Sequence, residues 1–189
     1  MFDDPRAAGS PVYFSDVIVA AASPARGFAD LRGGIWAYND VCSLSGFHCL
    51  LRRLDRHGGA RFFRELRPSG AHHTSIDWVA RGLATAAAID SNGLRLQLAR
   101  EPALRERIRI LETWGPHPIQ PIALRASLRT EVRAELTRTL LAIGRDPVAL
   151  AELAPFGVRA LVPVEESLYA AERAALHAPG SAVVQPWCR

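Results

Sequence analysis

Apolar residues along this chain alternate between extended runs and helical spacing, and most changes of rhythm fall on a small polar cluster. Val12 to Ala22 is extended and mostly apolar and predicts a long strand, broken by Ser23-Pro24. Phe28 to Arg32 predicts one helical turn, ended by Gly33-Gly34. Gly34-Ile35-Trp36-Ala37-Tyr38 predicts a short buried strand. Phe47, Leu50, Leu51 and Leu54 then recur at helical spacing up to Arg56, where His57-Gly58-Gly59 stops the run. Residues 60–67 read as a short strand, and Ser69 to Ser75 is a second small-polar turn. That turn opens a helix with Ile76, Val79, Ala80 and Leu83 on one side. Ala84 to Ile89 is a compact apolar strand, and Asp90-Ser91 starts the next helix, which runs to Pro102. Ile108 to Leu111 is a further strand.

Strand and helix alternate here with short connections, which predicts an α/β fold with a parallel sheet and covering helices. Ligands in such sheets bind at the carboxyl ends of the strands, in loops that enter helices. Three loops have that place and chemistry: 40–46, 69–75 and 90–92. They are expected to converge.

Composition changes after residue 112. Trp114 to Pro121 is stiff and proline-dense; it excludes a helix and suits a crossing between lobes. Ile122-Ala123-Leu124 is expected to resume a strand. Arg129 to Ile143 and residues 147–155 read as helices, Phe156 to Arg159 as a turn into Leu161 to Val164, and about 165–177 as a last helix. The expected organisation is a leader and crossover strand over 1–19, a complete α/β lobe over 20–115, a partial lobe over 116–178 and a tail over 179–189. Residues 1–10 read as loose, and the tail as disordered or loosely attached.

The chain has 189 residues, 49% of them hydrophobic and 22% charged, which suits a globular protein with one core or two small lobes. No apolar run reaches the roughly 18 residues that span a bilayer. Met1-Phe2-Asp3-Asp4-Pro5-Arg6 is acidic and polar, without the apolar stretch of an export signal behind it. Net charge is +4, carried by arginine alone, since the chain has no lysine. The densest basic cluster, Arg52, Arg53 and Arg56, lies on a predicted solvated helix face. No basic stripe interleaves with aromatics, so nucleic acid is not an expected partner. Cys42 and Cys49 are too far apart for a disulfide with each other, and Cys188 lies in the tail. Neither the cysteines nor the six histidines show metal-ligand spacing, so no metal or cofactor is expected.

The most informative joint is Asn39-Asp40-Val41-Cys42-Ser43-Leu44-Ser45-Gly46, where a strand runs straight into a helix start. Two hydroxyls and a glycine leave backbone N–H groups pointing outward at the positive end of a helix dipole, a place that suits an oxyanion. The alternative is an ordinary cap, with Ser43 or Ser45 bonding the first turn.

In order along the chain, several segments resemble the substrate-binding proteins of phosphate, phosphite and phosphonate ABC transporters. Tyr13 to Val19 resembles the family's strand entering its second lobe, and Ser23-Pro24 with Phe28 to Gly33 its "SP…ADLRG" segment. Asp40 to Gly46 is similar to its DPxSxSG ligand loop, Gly70-Ala71-His72 to its GSH turn, and Ala86 to Ser91 to its AAAIDS strand end. Ile119-Gln120-Pro121 resembles its second crossover. The resemblance implies a type 2 periplasmic-binding-protein-like α/β fold, with one complete Rossmann-like lobe and a partial second lobe lacking the family's leading strand–helix segment. It implies a non-catalytic solute-binding component that holds a small phosphorus oxyanion in an inter-lobe cleft and presents it to an ABC permease. It implies a periplasmic location; the chain's own N-terminus leaves a cytoplasmic one open. By resemblance, Ser43, Leu44 (through its backbone N–H) and Ser45 hold the anion, and His72, Tyr13 and Asp90 line the site. An incomplete lobe is also expected to leave an apolar sheet edge that promotes self-association.

Several alternatives stay open. His73 stands beside His72, which the motif's register favours. Asp90 doubles as a helix cap, Tyr13 as core, and Trp36 and Trp78 as packing. The departures are Val41 for Pro, Leu44 for Thr, Ala71 for Ser, and neutral Asn92 and Gln120 where carboxylates would suit an aminoalkyl ligand. A cytoplasmic small-anion sensor of the same fold is the second reading. An enzyme using Ser43, His72 and Asp90 is the third and least favoured, since each sits at its own helix start.

Overall fold

A computed structural model describes residues 1–176. The tail expectation for 179–189 lies outside the described residues. Within them the chain divides into two units: a sheet unit, Phe14–Pro116, and a terminal unit made of Met1–Tyr13 with His117–Leu176.

Five strands form the sheet: β1 (Val12–Ala20), β2 (Ile35–Tyr38), β3 (Glu65–Pro68), β4 (Ala86–Asp90) and β5 (Ile108–Pro118). Their order is β3-β2-β4-β1-β5. β2 runs parallel to both β3 and β4, whereas β1 is antiparallel to β4, with Ser15 opposite Asp90 and Val19 opposite Ala86. The sheet is therefore mixed. Its parallel part is the β3-β2-β4 block, and the carboxyl ends of those three strands lie along one edge.

Side chains alternate cleanly between the two faces, as a pleated strand requires. Val17 and Val19 of β1, Trp36 of β2 and Ala86 and Ala88 of β4 join one core with Phe28, Leu50, Leu54, Phe62 and Phe63. Ile18, Ala37, Ala87 and Ile89 join the other, with Ile76, Val79, Leu94 and Leu104. Burial on both faces explains why the strands read as apolar runs rather than alternating ones. The covering helices are α1 (Cys49–Asp55), α2 (His72–Ala80), α3 (Ser91–Arg100) and α4 (Leu104–Arg107). The first core is dominated by aromatics: Phe28 stacks on Phe62 with centroids 4.8 Å apart, and Trp36 lies parallel to Trp114 at 5.9 Å. Glu112 closes this cluster. Burial alone would raise its carboxyl. The Trp114 indole, the Phe28 N–H and the Arg53 guanidinium donate to it at 3.0, 2.8 and 2.8 Å and hold it below the ordinary carboxylate range.

Besides the expected all-parallel sheet, three sequence expectations change. The strand expected at Ile108 to Leu111 runs on through the proline-dense stretch to Pro118, because β5 is the sheet's outer strand, where a missing N–H costs no ladder bond. The strand expected at Ile122 to Leu124 is absent; this stretch is irregular, with Ile122 63% exposed. Pro121 removes a donor there, and no strand among the described residues pairs with the segment. The first ten residues are not a loose leader. Pro5–Ala7 is a 3-10 turn capped by Asp4, and Phe2 forms an antiparallel bridge with Val158.

The terminal unit is helical: α5 (Thr130–Ile143), α6 (Pro147–Leu153) and α7 (Ala170–Leu176). The Tyr169 hydroxyl donates to the Ile119 carbonyl at 2.9 Å, and burial raises that phenol's pKa. Ile119, Pro121, Leu140, Leu161 and Val164 line an apolar groove in this unit. Among the described residues, no helix is long and apolar enough to cross a membrane.

Candidate functional site

The three loops expected to converge do so at the carboxyl edge of the β3-β2-β4 block. β2 leads into residues 39–43, and the chain then enters a π-helical turn, Leu44–His48, that continues as α1. The hydroxyl oxygen of Ser43 caps it, accepting the Gly46 N–H at 3.0 Å. The Ser43 carbonyl accepts from both Phe47 at 3.1 Å and His48 at 3.0 Å. Cys42 and Ser43 donate back to Asp40. Among the described residues nothing accepts from the N–H groups of Leu44 and Ser45, as at the start of any helix without further caps. The cap reading and the oxyanion reading of this loop are compatible: Ser43 spends a lone pair on the cap and keeps its O–H hydrogen.

β3 leads into the second loop. Ser69 ties it to β2, its N–H and hydroxyl both reaching the Tyr38 carbonyl, at 2.8 and 3.0 Å. Its oxygen also lies 2.6 Å from that of Ser75. α2 then starts at His72 without a side-chain cap, because Ala71 stands at the capping position. Among the described residues, no side chain caps the dipole and the N–H groups of this first turn.

β4 leads into the third loop. Asp90 caps α3, its Oδ1 accepting the Gly93 N–H at 2.7 Å. Its Oδ2 stands 3.4 Å from His72 Nε2. The carboxylate is thus both cap and partner, and it joins the second and third loops. Burial holds the His72 imidazole below its ordinary pKa, and the Asp90 charge pulls weakly the other way. His72 Nδ1 is buried with no partner among the described residues, and so is Asn39 Oδ1. His73 is exposed, in agreement with the register that favours His72.

Ser43, Leu44, Ser45, His72 and Asp90 therefore lie at one edge of the sheet unit. Tyr13 is grouped with the terminal unit, where it is 3% exposed with its ring 5.6 Å from that of His117. Asn92 follows Asp90 and accepts from Arg95 at 3.2 Å, while Gln120 is exposed in the terminal unit. Trp36 and Trp78 pack in the two cores, and Trp36 also donates its indole N–H to the Gly46 carbonyl at 3.3 Å. Sequence reasoning missed Ser15. Its hydroxyl donates to the Ser45 carbonyl at 2.9 Å from inside the core. The available signal was a hydroxyl on the β1 face otherwise held by Val17 and Val19.

Among the described residues, no group of three or more potential ligands gathers as a metal site. The site's donors are backbone N–H groups, hydroxyls and an imidazole, a set that suits an oxyanion.

A family model described as an ABC transporter, phosphonate, periplasmic substrate-binding protein matches residues 3–169. Among solved structures, a binding protein component of an ABC phosphonate transporter from Pseudomonas aeruginosa is similar at a TM-score of 0.78 and 17% identity, over 89% of this chain and 58% of that one. A Prochlorococcus marinus protein in complex with methylphosphonate gives 0.74 and 15%, over 88% and 66%. A Xanthomonas citri protein bound to ATP gives 0.71 and 21%, over 94% and 68%. At these identities the likeness to the solved structures is one of fold, and this chain spans 58% of the length of the Pseudomonas protein.

Proposed function

This chain belongs to the periplasmic substrate-binding proteins of phosphonate ABC transporters, and from that premise we propose that its sheet unit binds a small phosphorus oxyanion, phosphate, phosphite or a phosphonate, at the edge carrying loops 40–46, 69–75 and 90–92. The family's proteins are transport components rather than enzymes. The observation that carries the reading is the pair of unused N–H groups at Leu44 and Ser45 beside the uncapped start of α2. Two helix starts with open donors supply fixed dipoles for phosphoryl oxygens, and the Ser43 hydroxyl adds a third kind of donor. His72 lines the site from α2, and Asp90 gives a charged acceptor, matched to a ligand oxygen that keeps its proton. In this reading the bound anion is delivered to an ABC permease in the membrane.

The direct test is calorimetric titration of the folded protein with phosphate, phosphite, methylphosphonate and ATP, the last because the Xanthomonas protein holds it. Saturable heat with one of the small anions is expected. A folded protein that gives no heat with any of them at millimolar concentration ends this reading.

A further inference from the structure

We infer that Ser15 is a positioning residue for the anion loop, acting through the peptide that joins Ser45 to Gly46; the inference rests on the oxyanion reading of that loop. Ser15 lies in β1, fully buried, on the face otherwise filled by Val17 and Val19. A hydroxyl there needs a partner, and it finds the Ser45 carbonyl, thirty residues away, at 2.9 Å. In a trans peptide the C=O and N–H point in opposite directions. Holding the Ser45 carbonyl toward the sheet therefore aims the Gly46 N–H away from it, at the Ser43 hydroxyl oxygen 3.0 Å off. The result is a chain of hydrogen bonds: Ser15 O–H to the Ser45 carbonyl, and Gly46 N–H to Ser43 Oγ. Each bond polarises the next. Because Ser43 Oγ accepts from Gly46, its own hydrogen is the part left to face a ligand.

Two further contacts brace the same assembly. Trp36 donates to the next carbonyl, that of Gly46, at 3.3 Å. The Ser15 backbone lies opposite Asp90 in the β1–β4 ladder, and the neighbouring Phe14 N–H donates to Ser91 Oγ at 3.2 Å. The start of β1 thus touches the first and third loops at once, and Ser15 fixes the first in register with the third. This residue contacts no ligand; it sets which way Ser43 offers its proton.

The test is a double-mutant cycle between Ser15 and Ser43, read by methylphosphonate affinity. Ser15→Ala and Ser43→Ala are each expected to weaken binding about tenfold, roughly the effect of one hydrogen bond. Ser15→Ala made on top of Ser43→Ala is expected to add little, because the relay ends at Ser43. Ser15→Cys keeps a side chain of similar size with a weak donor and should fall between. It also serves if the alanine variant does not fold. In the ligand-free protein, amide exchange at Gly46 and Phe47 should quicken about tenfold in either Ser15 variant, while exchange in β2 and β4 is unchanged. Additive affinity losses, or unchanged exchange at Gly46, overturn the inference. If the parent protein binds none of the small anions, the oxyanion reading fails on its own account, and the Gly46 exchange rate alone then decides whether Ser15 sets this turn.

Discussion

Asp90 holds two loops with one carboxylate: Oδ1 takes the Gly93 N–H at 2.7 Å, and Oδ2 faces His72 Nε2 at 3.4 Å. An acceptor at the edge of an anion site repels a fully ionised ligand and rewards one that keeps a proton. Asp90→Asn should therefore narrow the preference for methylphosphonate over sulfate by about tenfold or more, the scale of one charged hydrogen bond. Competition calorimetry at constant pH checks this. An unchanged ratio would assign Asp90 to helix capping alone.

The same pair fixes a pH dependence. Burial lowers the His72 pKa in the folded state from its ordinary 6.5, so the unfolded chain binds the proton more readily. Stability then rises with pH across this window, and it is lost as pH falls from about 6.5 toward the folded value. The parent's unfolding midpoint should drop on acidification below pH 6.5, and His72→Gln should flatten that part of the curve. Thermal melts between pH 5 and 7.5 make the comparison. Equal slopes in the two proteins would mean that other groups dominate.

Two glycines keep carboxylate and amide side chains in place. A Cβ on Gly93 would stand 2.5 Å from Asp90 Oδ2, and one on Gly46 would stand 2.2 Å from Asn39 Oδ1. Gly93→Ala should push Asp90 off its cap and away from His72, at about 1 kcal/mol of stability for the lost cap and with altered ligand affinity. Gly46→Ala should displace Asn39 and disturb the turn that Ser43 caps. At Gly9, by contrast, a Cβ meets nothing, though the positive φ there still strains alanine. Binding assays beside melts separate the three: Gly9→Ala should leave affinity unchanged, and a Gly93→Ala protein with parental affinity would contradict the role given to Asp90.

Trp36→Phe tests how far the core supports the loop. The change removes the donor to the Gly46 carbonyl and part of the parallel contact with Trp114. A loss of about 2–3 kcal/mol is expected, from the cavity and the unsatisfied carbonyl together. Chemical denaturation gives the number, and a loss below about 0.5 kcal/mol would show that the indole N–H is not needed there.

Much of the sheet unit was legible because its signals are local. Extended apolar runs in β1, β2 and β4, and small polar residues where strands become helices, mark both the elements and the edge proposed to bind the anion. Asp90 could be seen as a cap from its place before Ser91, but not as the partner of His72, since the seventeen residues between them hide that approach. Ser15 was invisible for the same reason: its hydroxyl is explained only by a carbonyl on another loop. The proline-dense stretch misled in the other direction. Proline argues against a strand only where the ladder needs its N–H, and the outer position of β5 is a property of sheet order, not of local sequence. Ile122 to Leu124 has strand composition yet no strand, because a ladder needs a neighbour as well as a propensity.

The donors gathered at the loop edge (the Leu44 and Ser45 N–H groups, the first turn of α2 and the Ser43 hydroxyl) carry no net charge. Mobile ions weaken attraction between separated charges across water far more than they weaken short contacts with fixed dipoles. In the oxyanion reading these donors hold the ligand by direction and number of hydrogen bonds, so the salt dependence of binding should come from Asp90 and the two helix dipoles and be small beside that of a site built on arginines. Such a binder would lose less affinity in saline surroundings than one that grips its anion with full positive charges.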